Sequence, residues 1–322
     1  MNFLKNKTIL ITGGTGSFGN AATEYLLKNA KLKKLIIFSR DENKQLEMSN
    51  KFKNKVIRFF LGDIREESRL DLALKNVDYV LHAAALKQVP AAEYNPFECI
   101  KTNINGTQSL ILACIKNKVK KVIGLSTDKA CNPINLYGAT KLCAEKLLIN
   151  ANQYVSKKET IFSVVRYGNV LASRGSVIPY FRNLISEGKK SLPLTHKDMT
   201  RFFISLEDAV KFVLNTLKVS KGSEIFIPKM PSIHILDLIK IINEDIGVKI
   251  TGIRPGEKIH ESLCSIDEAT NLYENKESFL IYSQGDVTKK KIGKKVKNSF
   301  SYTSNSKLTL NINKIKNIIK KI

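Results

Sequence analysis

Asp128, Lys129, Tyr137 and Lys141 fall within one short stretch, Ser126 to Lys141, and their types and spacing suit proton chemistry. Tyr137 and Lys141 are four positions apart, so on a helix they share one face a turn apart, and an ammonium so placed lowers a phenol's pKa toward the working range. Such a tyrosine can take the proton of an alcohol. Asp128 and Lys129 add a second acid/base pair, more ionisable groups than oxidation of an alcohol requires, and the surplus points to a second reaction at the same site. On the residues alone, a surface ion pair capping the loop accounts for Asp128 and Lys129 equally well. Cys131 has no histidine near it in sequence and reads as a small packed side chain.

The elements that must position these groups follow a regular rhythm. Val122–Leu125 reads as a buried strand feeding the stretch, and a helix starts near Tyr137. At the start of the chain Thr8–Thr12 is of strand type, followed at once by Gly13, Gly16 and Gly19 and by a helix over Ser17–Asn29. With Thr15, Ser17 and Phe18 among them, these glycines let the backbone approach a pyrophosphate at a helix N-terminus, where free amides and the helix dipole favour negative charge. Leu35–Phe38 is the second strand and ends in Ser39-Arg40-Asp41, with Lys44 just beyond. An acid at that tip binds the ribose hydroxyls of NAD, whereas Ser39 and Arg40 offer donors to a 2′-phosphate; the tip favours NADP, and Asp41 keeps NAD open.

Val56–Leu61 leads to Gly62, Asp63 and Ile64, at the adenine edge of such a fold. Tyr79–His82 leads to Ala83, Ala84 and Ala85, small residues past which a cofactor can run, and then to Lys87, which reaches a phosphate or sugar or else lies on the surface. His82 reads as a packed strand residue. Asn103 is a helix-packing polar group or a cofactor contact, and Phe162–Val170 is a further strand with Asn169 near its carboxyl end. Alternating strands and helices predict an α/β fold, a doubly wound parallel sheet of Rossmann type with its ligand crevice at the strand tips.

Past residue 170 the rhythm loosens and prolines punctuate short segments. The chain is expected to divide into an NADP-binding Rossmann domain over 1–170, to which later segments return, a smaller C-terminal substrate-binding cap over 171–285, and a lysine-rich tail over 286–322. Arg174, Arg201 and Arg254 are candidates for a diphosphate, since guanidinium forks match phosphate oxygens. From Val287 to Ile322 there are eleven lysines and no acid, which reads as a mobile arm or as an amphipathic helix over Leu310–Ile322.

The 322 residues, 43% hydrophobic and 25% charged, supply a sizeable core. No apolar run approaches the roughly 18 residues that a membrane span needs, and Met1–Lys7 lacks the apolar core of a signal peptide, so a cytoplasmic protein is expected. Five cysteines show no CxxC pairing and no histidines at ligand spacing, which argues for reduced thiols and no metal. The net charge of +24 is mostly lysine spread along the whole chain, without a basic run interleaved with aromatics, and gives no reason to expect a nucleic-acid partner.

Gly13-x-x-Gly16-x-x-Gly19, Ser126-Thr127-Asp128-Lys129 and Tyr137-x-x-x-Lys141 together resemble the extended short-chain dehydrogenase/reductase family. More narrowly they look like its inverting UDP-N-acetylglucosamine 4,6-dehydratases of the pseudaminic acid pathway. The resemblance runs from Lys7 to Gly285; Ser126–Lys146 is its most specific part, with Ala84–Pro90 and Arg254–Lys258 in support. Relatives acting on dTDP-glucose carry Asp-Glu where this chain has Asp128-Lys129. Longer polysaccharide-linked relatives have a membrane-spanning N-terminal part and often a methionine in place of Tyr137, so the chain resembles the short, soluble type. Cys131 stands where the group commonly has alanine.

The resemblance implies that Tyr137 removes the proton of the sugar's 4-hydroxyl while hydride leaves C4 for NADP⁺. Lys129, as a neutral amine of depressed pKa, then takes the C5 proton, and protonated Asp128 assists loss of the 6-hydroxyl as water. Hydride returns to C6, and protonation of C5 from the opposite face gives UDP-2-acetamido-2,6-dideoxy-β-L-arabino-hex-4-ulose. It also implies a tightly bound, regenerated NADP held by the glycine loop, Ser39, Arg40, Asp41, Lys44, Asp63, Ile64, Ala83, Ala84, Ala85, Lys87, Asn103, Tyr137 and Lys141. UDP-N-acetylglucosamine would be held by Lys87, Thr127, Asn169, Val177, Thr195, Met199, Arg201, Arg254 and Glu257. A homo-oligomer, dimer or hexamer, serving flagellin glycosylation or a surface polysaccharide is implied as well. Rival readings are a UDP-sugar 4-epimerase or retaining dehydratase on the same fold, and a dinucleotide-sensing binding protein without turnover.

Overall fold

The run Thr-Ile-Leu-Ile-Thr at Thr8–Thr12 is buried at every residue, the mark of a strand covered on both faces. It forms the centre of the computed structural model, which describes residues 1–155, 159–171, 173, 175–283 and 291–319. Arg174 and parts of the lysine-rich segment lie outside the described residues.

Through residue 167 the chain runs β1 (Thr8–Thr12), α1 (Ser17–Asn29), β2 (Lys34–Ser39), α2 (Glu42–Lys51), β3 (Ile57–Leu61), α3 (Glu67–Ala73), β4 (Tyr79–His82), α4 (Val89–Tyr94), α5 (Pro96–Ile100), α6 (Gly106–Lys116), β5 (Lys121–Thr127), α7 (Leu136–Asn150) and β6 (Ile161–Tyr167). One turn of π-helix, Lys101–Asn105, joins α5 to α6. There follow β7 (Asn169–Val170), α8 (Val177–Ser186), β8 (Ser191–Leu194), β9 (Thr200–Ile204), α9 (Leu206–Val219), β10 (Glu224–Pro228), β11 (Ser232–His234), α10 (Ile235–Ile242), β12 (Gly247–Ile250), β13 (Ser262–Cys264), β14 (Leu272–Glu274), β15 (Ser278–Tyr282), β16 (Lys294–Lys295), β17 (Tyr302–Thr303) and α11 (Ile312–Ile319).

The main sheet has the order β16-β14-β15-β10-β6-β5-β4-β1-β2-β3. Every neighbouring pair from β3 to β10 is parallel, and β15, β14 and β16 extend the far edge antiparallel. The segment β3-β2-β1-β4-β5-β6 is the doubly wound order whose reversal, beside β1, leaves a crevice at the carboxyl ends of the strands.

The packing departs from a simple cut at residues 170 and 285. α9 lies on α1 and β5, and β10, β14, β15 and β16 join the main sheet, so the cap is an interrupted set of elements. Its own core gathers Ile178 and Phe181 of α8, Leu192 and Leu194 of β8, Phe203 of β9, and Leu238 and Ile239 of α10. In its described part the lysine-rich segment is not a mobile arm: β16 pairs with β14, β17 with β13, and α11 buries Ile315 and Ile319 in the cap core. Isoleucines at helical spacing supply one apolar stripe while Lys314 and Lys316 stay exposed, which lets a very basic segment pack.

A buried ion cluster fastens α7 to this frame. Arg166 of β6, with no exposed surface, donates from Nε and Nη2 to both oxygens of Glu145 on α7 (2.9 and 2.6 Å) and from Nη1 and Nη2 to both oxygens of Glu268 (2.8 Å each). It also bonds the Leu263 carbonyl of β13 at 3.0 Å. Arg166→Met would leave two acids without their shared cation, and breaking a buried pair in this way costs about 3–5 kcal/mol. A lowered urea midpoint with an unchanged denaturant slope is the expected result.

Candidate active site

β5 ends in Ser126-Thr127 and delivers Asp128 and Lys129 to the carboxyl edge of the sheet. The chain then turns back into α7, whose N-cap, Asn135, accepts from the Gly138 amide at 2.8 Å. Gly138 is required by proximity, because a Cβ there would lie 2.2 Å from the Lys129 carbonyl oxygen. That approach sets Tyr137, in the first turn of α7, beside the Asp128-Lys129 loop. The loop is latched to the cap side as well: Asn135 donates to the Gly256 carbonyl and Lys258 to the Cys131 carbonyl, both at 2.7 Å.

Asp128 is fully buried, and Lys129 donates to its Oδ1 at 3.0 Å and to Asn169 at 3.4 Å. Thr127 donates to the same Oδ1 at 2.9 Å. Burial raises the Asp128 carboxyl's pKa against the pull of Lys129, and the Glu261 charge adds to the rise. Burial works the other way on Lys129, yet the carboxylates of Asp128 and Glu261 overcome it and hold the ammonium above its usual range. The depressed Lys129 pKa expected from the sequence is therefore corrected: in this resting arrangement two acids face it.

The expected partnership of Tyr137 and Lys141 is corrected too. Burial pushes the Tyr137 phenol up to about 12, and the groups that pull it down are the Lys129 ammonium and the Thr127 hydroxyl. Lys141 donates to the Leu125 carbonyl at 2.8 Å, and burial brings its own pKa down to about 8. Sequence spacing put the two side chains on one face; it could not show that the charge acting on the phenol is that of Lys129.

A cavity of about 1130 Å³ runs along the strand tips from the glycine loop to the cap. Its wall includes Gly13, Thr15, Gly16, Ser17 and Phe18, then Ser39, Arg40, Asp41, Lys44 and Ile64, and Ala83, Ala84, Ala85 and Lys87. Thr127, Lys129, Tyr137, Lys141 and Asn169 follow, and Val177, Thr195, Met199, Arg201, Arg254 and Glu257 close it from the cap. Four expected residues lie outside the wall. Gly19 packs against Gly14 one turn into α1. Asp63 is held by Arg65 at 2.7 Å and Arg40 at 3.3 Å. Asn103 bonds Leu86 through both its backbone groups (2.8 and 2.9 Å) and Thr140 of α7 at 3.0 Å, joining the cavity floor to the catalytic helix. Asp128 sits behind Lys129.

The near end of the cavity fits a dinucleotide. Gly13 has φ +62°, and a Cβ there would stand 2.8 Å from Ala84 Cα, so only glycine keeps that floor low. No side chain caps α1 at Gly16, which leaves first-turn amides for an anion. Arg201 is tied more tightly than a free diphosphate ligand: its guanidinium donates to the carbonyls of Thr200, Lys258 and Ile259 (2.7, 2.8 and 2.9 Å). Glu261, Lys258 and Asn135 were not singled out from the sequence. Glu261 carries no motif of its own, and only folding brings it to Lys129. Among the described residues no group of three or more His, Cys, Asp or Glu could hold a metal, and no helix is long and apolar enough to cross a membrane.

The family model described as polysaccharide biosynthesis protein matches residues 9–283. Over 310 residues the chain is 53% identical to the UDP-N-acetylglucosamine 4,6-dehydratase (inverting) of Campylobacter jejuni strain 81-176, covering 93% of each. It is 43% identical to the UDP-glucose 4-epimerase of Rickettsia rickettsii, covering 98% of this chain and 95% of that relative. Among solved structures it superposes on Pen from Bacillus thuringiensis with a TM-score of 0.91 at 40% identity, over 99% of this chain and all of that one.

Lys141 gives the site a stability signature. Its pKa in the fold, about 8, lies below the ordinary 10.5, so its contribution is complete above pH 10.5 and is lost as pH falls through 8. Lys141→Met removes that dependence. In urea unfolding, the variant's stability relative to the parent is expected to rise by about 3 kcal/mol between pH 10.5 and 8 and to stay level below.

Proposed function

We propose, from the premise that the chain belongs to the polysaccharide biosynthesis protein family and is an extended short-chain dehydrogenase/reductase, that it is an inverting UDP-N-acetylglucosamine 4,6-dehydratase. The observation that carries this reading is the Asp128–Lys129 pair, 3.0 Å apart, with Lys129 on the same cavity wall as Tyr137 and Asp128 buried behind it. An alcohol oxidation alone has no use for that pair. The 53% identity to the Campylobacter dehydratase supports the same assignment.

The glycine loop and the tips of β2 and β4 would hold a nicotinamide dinucleotide, which when bound accepts hydride from the sugar's C4 and gives it back at C6. Tyr137 takes the 4-hydroxyl proton, helped by the Lys129 ammonium and the Thr127 hydroxyl that favour the phenolate. The resulting C4 ketone acidifies the C5 proton. Lys129 can act as the base once its proton crosses the 3.0 Å to Asp128 Oδ1, a move that leaves the pair's net charge unchanged. One transfer therefore makes both the neutral amine and the neutral acid. Lys129 removes the C5 proton, and Asp128 gives its proton to the departing 6-hydroxyl, which leaves as water. A proton delivered to the opposite face of C5, balancing the one that Tyr137 took from the 4-hydroxyl and gives up again, inverts it.

We assign NADP rather than NAD. Asp41 is engaged as the N-cap of α2, accepting from the Lys44 amide at 2.9 Å, and its second oxygen pairs with the Lys44 ammonium. Arg40, half exposed at the rim and 3.3 Å from Asp63, keeps donors that can turn to a 2′-phosphate. Arg40→Ala is expected to weaken NADP⁺ about tenfold relative to NAD⁺ in titration calorimetry; equal losses for the two cofactors would remove Arg40 from that role. Entry of the product into pseudaminic acid synthesis for flagellin or a surface polysaccharide, and a homo-oligomeric state, belong to the same proposal.

The test is incubation of the purified protein with UDP-N-acetylglucosamine in D₂O, read by mass spectrometry and proton NMR. Loss of water with one deuterium at C5 and the L-arabino configuration is the expected result. The second reading, a 4-epimerase, is favoured by the Rickettsia relative and predicts a product that keeps its 6-hydroxyl. A retained C5 configuration would make the enzyme a retaining dehydratase.

A further inference from the structure

Glu261 precedes β13, and its side chain is 3% exposed, yet it reaches the cavity wall. Oε1 lies 3.5 Å from Lys129 Nζ and 3.8 Å from Arg201 Nε, while Oε2, 4.0 Å from Lys258 Nζ, has no hydrogen-bond partner. Its backbone is fixed on both sides by Ser304: the Glu261 amide donates to Ser304 Oγ at 2.9 Å, and the Ser304 amide donates to the Glu261 carbonyl at 2.8 Å. Ser304 Oγ also bonds Thr200 Oγ1 of β9 at 2.6 Å. The lysine-rich C-terminal segment thereby clamps a carboxylate that faces the catalytic lysine.

A buried carboxylate with an unpaired oxygen is costly, and none of the steps above uses it. We propose that Glu261 is a positioning residue for Lys129: its carboxylate gives Nζ a second fixed contact opposite Asp128, and its charge retains the single proton that the Asp128–Lys129 pair must share. This rests on the dehydratase reading.

The geometry supplies the reason. Asp128 and Lys129 face the carboxylate from the end of β5, Arg201 from β9, and Lys258 from the loop before β13, with Glu257 and His260 behind and Tyr137 across the loop. Without Glu261, Asp128 would be the one acid facing Lys129, with Glu257 reaching only Arg201, and the shared proton would leave the pair at lower pH. Lys129 would also lose the contact that keeps Nζ from collapsing wholly onto Asp128.

The test compares the parent with Glu261→Gln and Glu261→Asp, with steady-state dehydration of UDP-N-acetylglucosamine measured across pH. Glu261→Gln should lower kcat about tenfold or more, leave KM within about threefold, and move both limbs of the kcat profile to lower pH. Glu261→Asp keeps the charge but withdraws the oxygens, so kcat should fall while the limbs stay in place. If the glutamine variant does not fold, Glu261→Asp is the test by itself: a lower kcat with KM within about threefold is expected, and an unchanged kcat or a rise in KM alone would overturn the role. A fall in kcat with an unmoved profile in Glu261→Gln, or a rise in KM alone, would overturn the positioning role while the dehydratase reading stands on the parent's turnover. A parent that leaves the substrate unchanged would overturn that reading, and the present inference with it.

Discussion

The buried ion pair between Lys129 and Asp128 constrains everything around it. An ammonium and a carboxylate taken out of water at 3.0 Å are tolerated only if the geometry is fixed and the remaining donors and acceptors find partners. Four separate parts of the chain fix that geometry, while Asp128 Oδ2 and Glu261 Oε2 stay without hydrogen-bond partners. β5 supplies the pair, α7 approaches through Gly138, β9 brings Arg201, and the 254–261 segment brings Lys258 and Glu261. The latches between 131–135 and 256–258 prevent the two halves of the site from drifting independently.

This cross-linking explains why the cap cannot be a simple appendage. β9 and the segment just before β13 present the charges of Arg201 and Glu261 to the Asp128–Lys129 loop, and Arg166 ties β6, α7 and the Glu268 region into one buried cluster. The C-terminal segment closes the arrangement from behind, with Tyr302 bonding both backbone groups of Met230 and Ser304 holding Glu261. A chain with a formal charge of +24 can fold this way because its described lysines mostly stay at the surface, while the buried cations each meet carboxylates or carbonyls.

The cofactor end works on different physics. There the sheet offers small side chains and uncapped amides, a shallow positive field suited to a pyrophosphate and built from Gly13, Gly16 and the alanines after β4. The buried network His82–Thr12–Ala84 and Asn103–Leu86 keeps that floor rigid without titrating, since burial takes the His82 imidazole down to about 3. Charge chemistry is thus confined to the far end, beside Tyr137.

Local information in the sequence determined the Rossmann half. Apolar runs of strand length, the glycine spacing and the i, i+4 relation of Tyr137 to Lys141 are properties of neighbours along the chain, and periodicity reads them directly. The same holds for the acid/base content of Asp128-Lys129. Tertiary structure alone decided which cation acts on Tyr137, because the Lys129 charge is brought near the phenol by the close approach of its loop to Gly138. It also decided that Glu261 and Ser304 belong to the site, and that the described part of the lysine-rich segment packs rather than floats. Those facts hang on contacts that no local periodicity encodes, some between residues more than a hundred positions apart such as Lys129 and Glu261, where burial rather than spacing sets both the pKa of a group and the partner it meets.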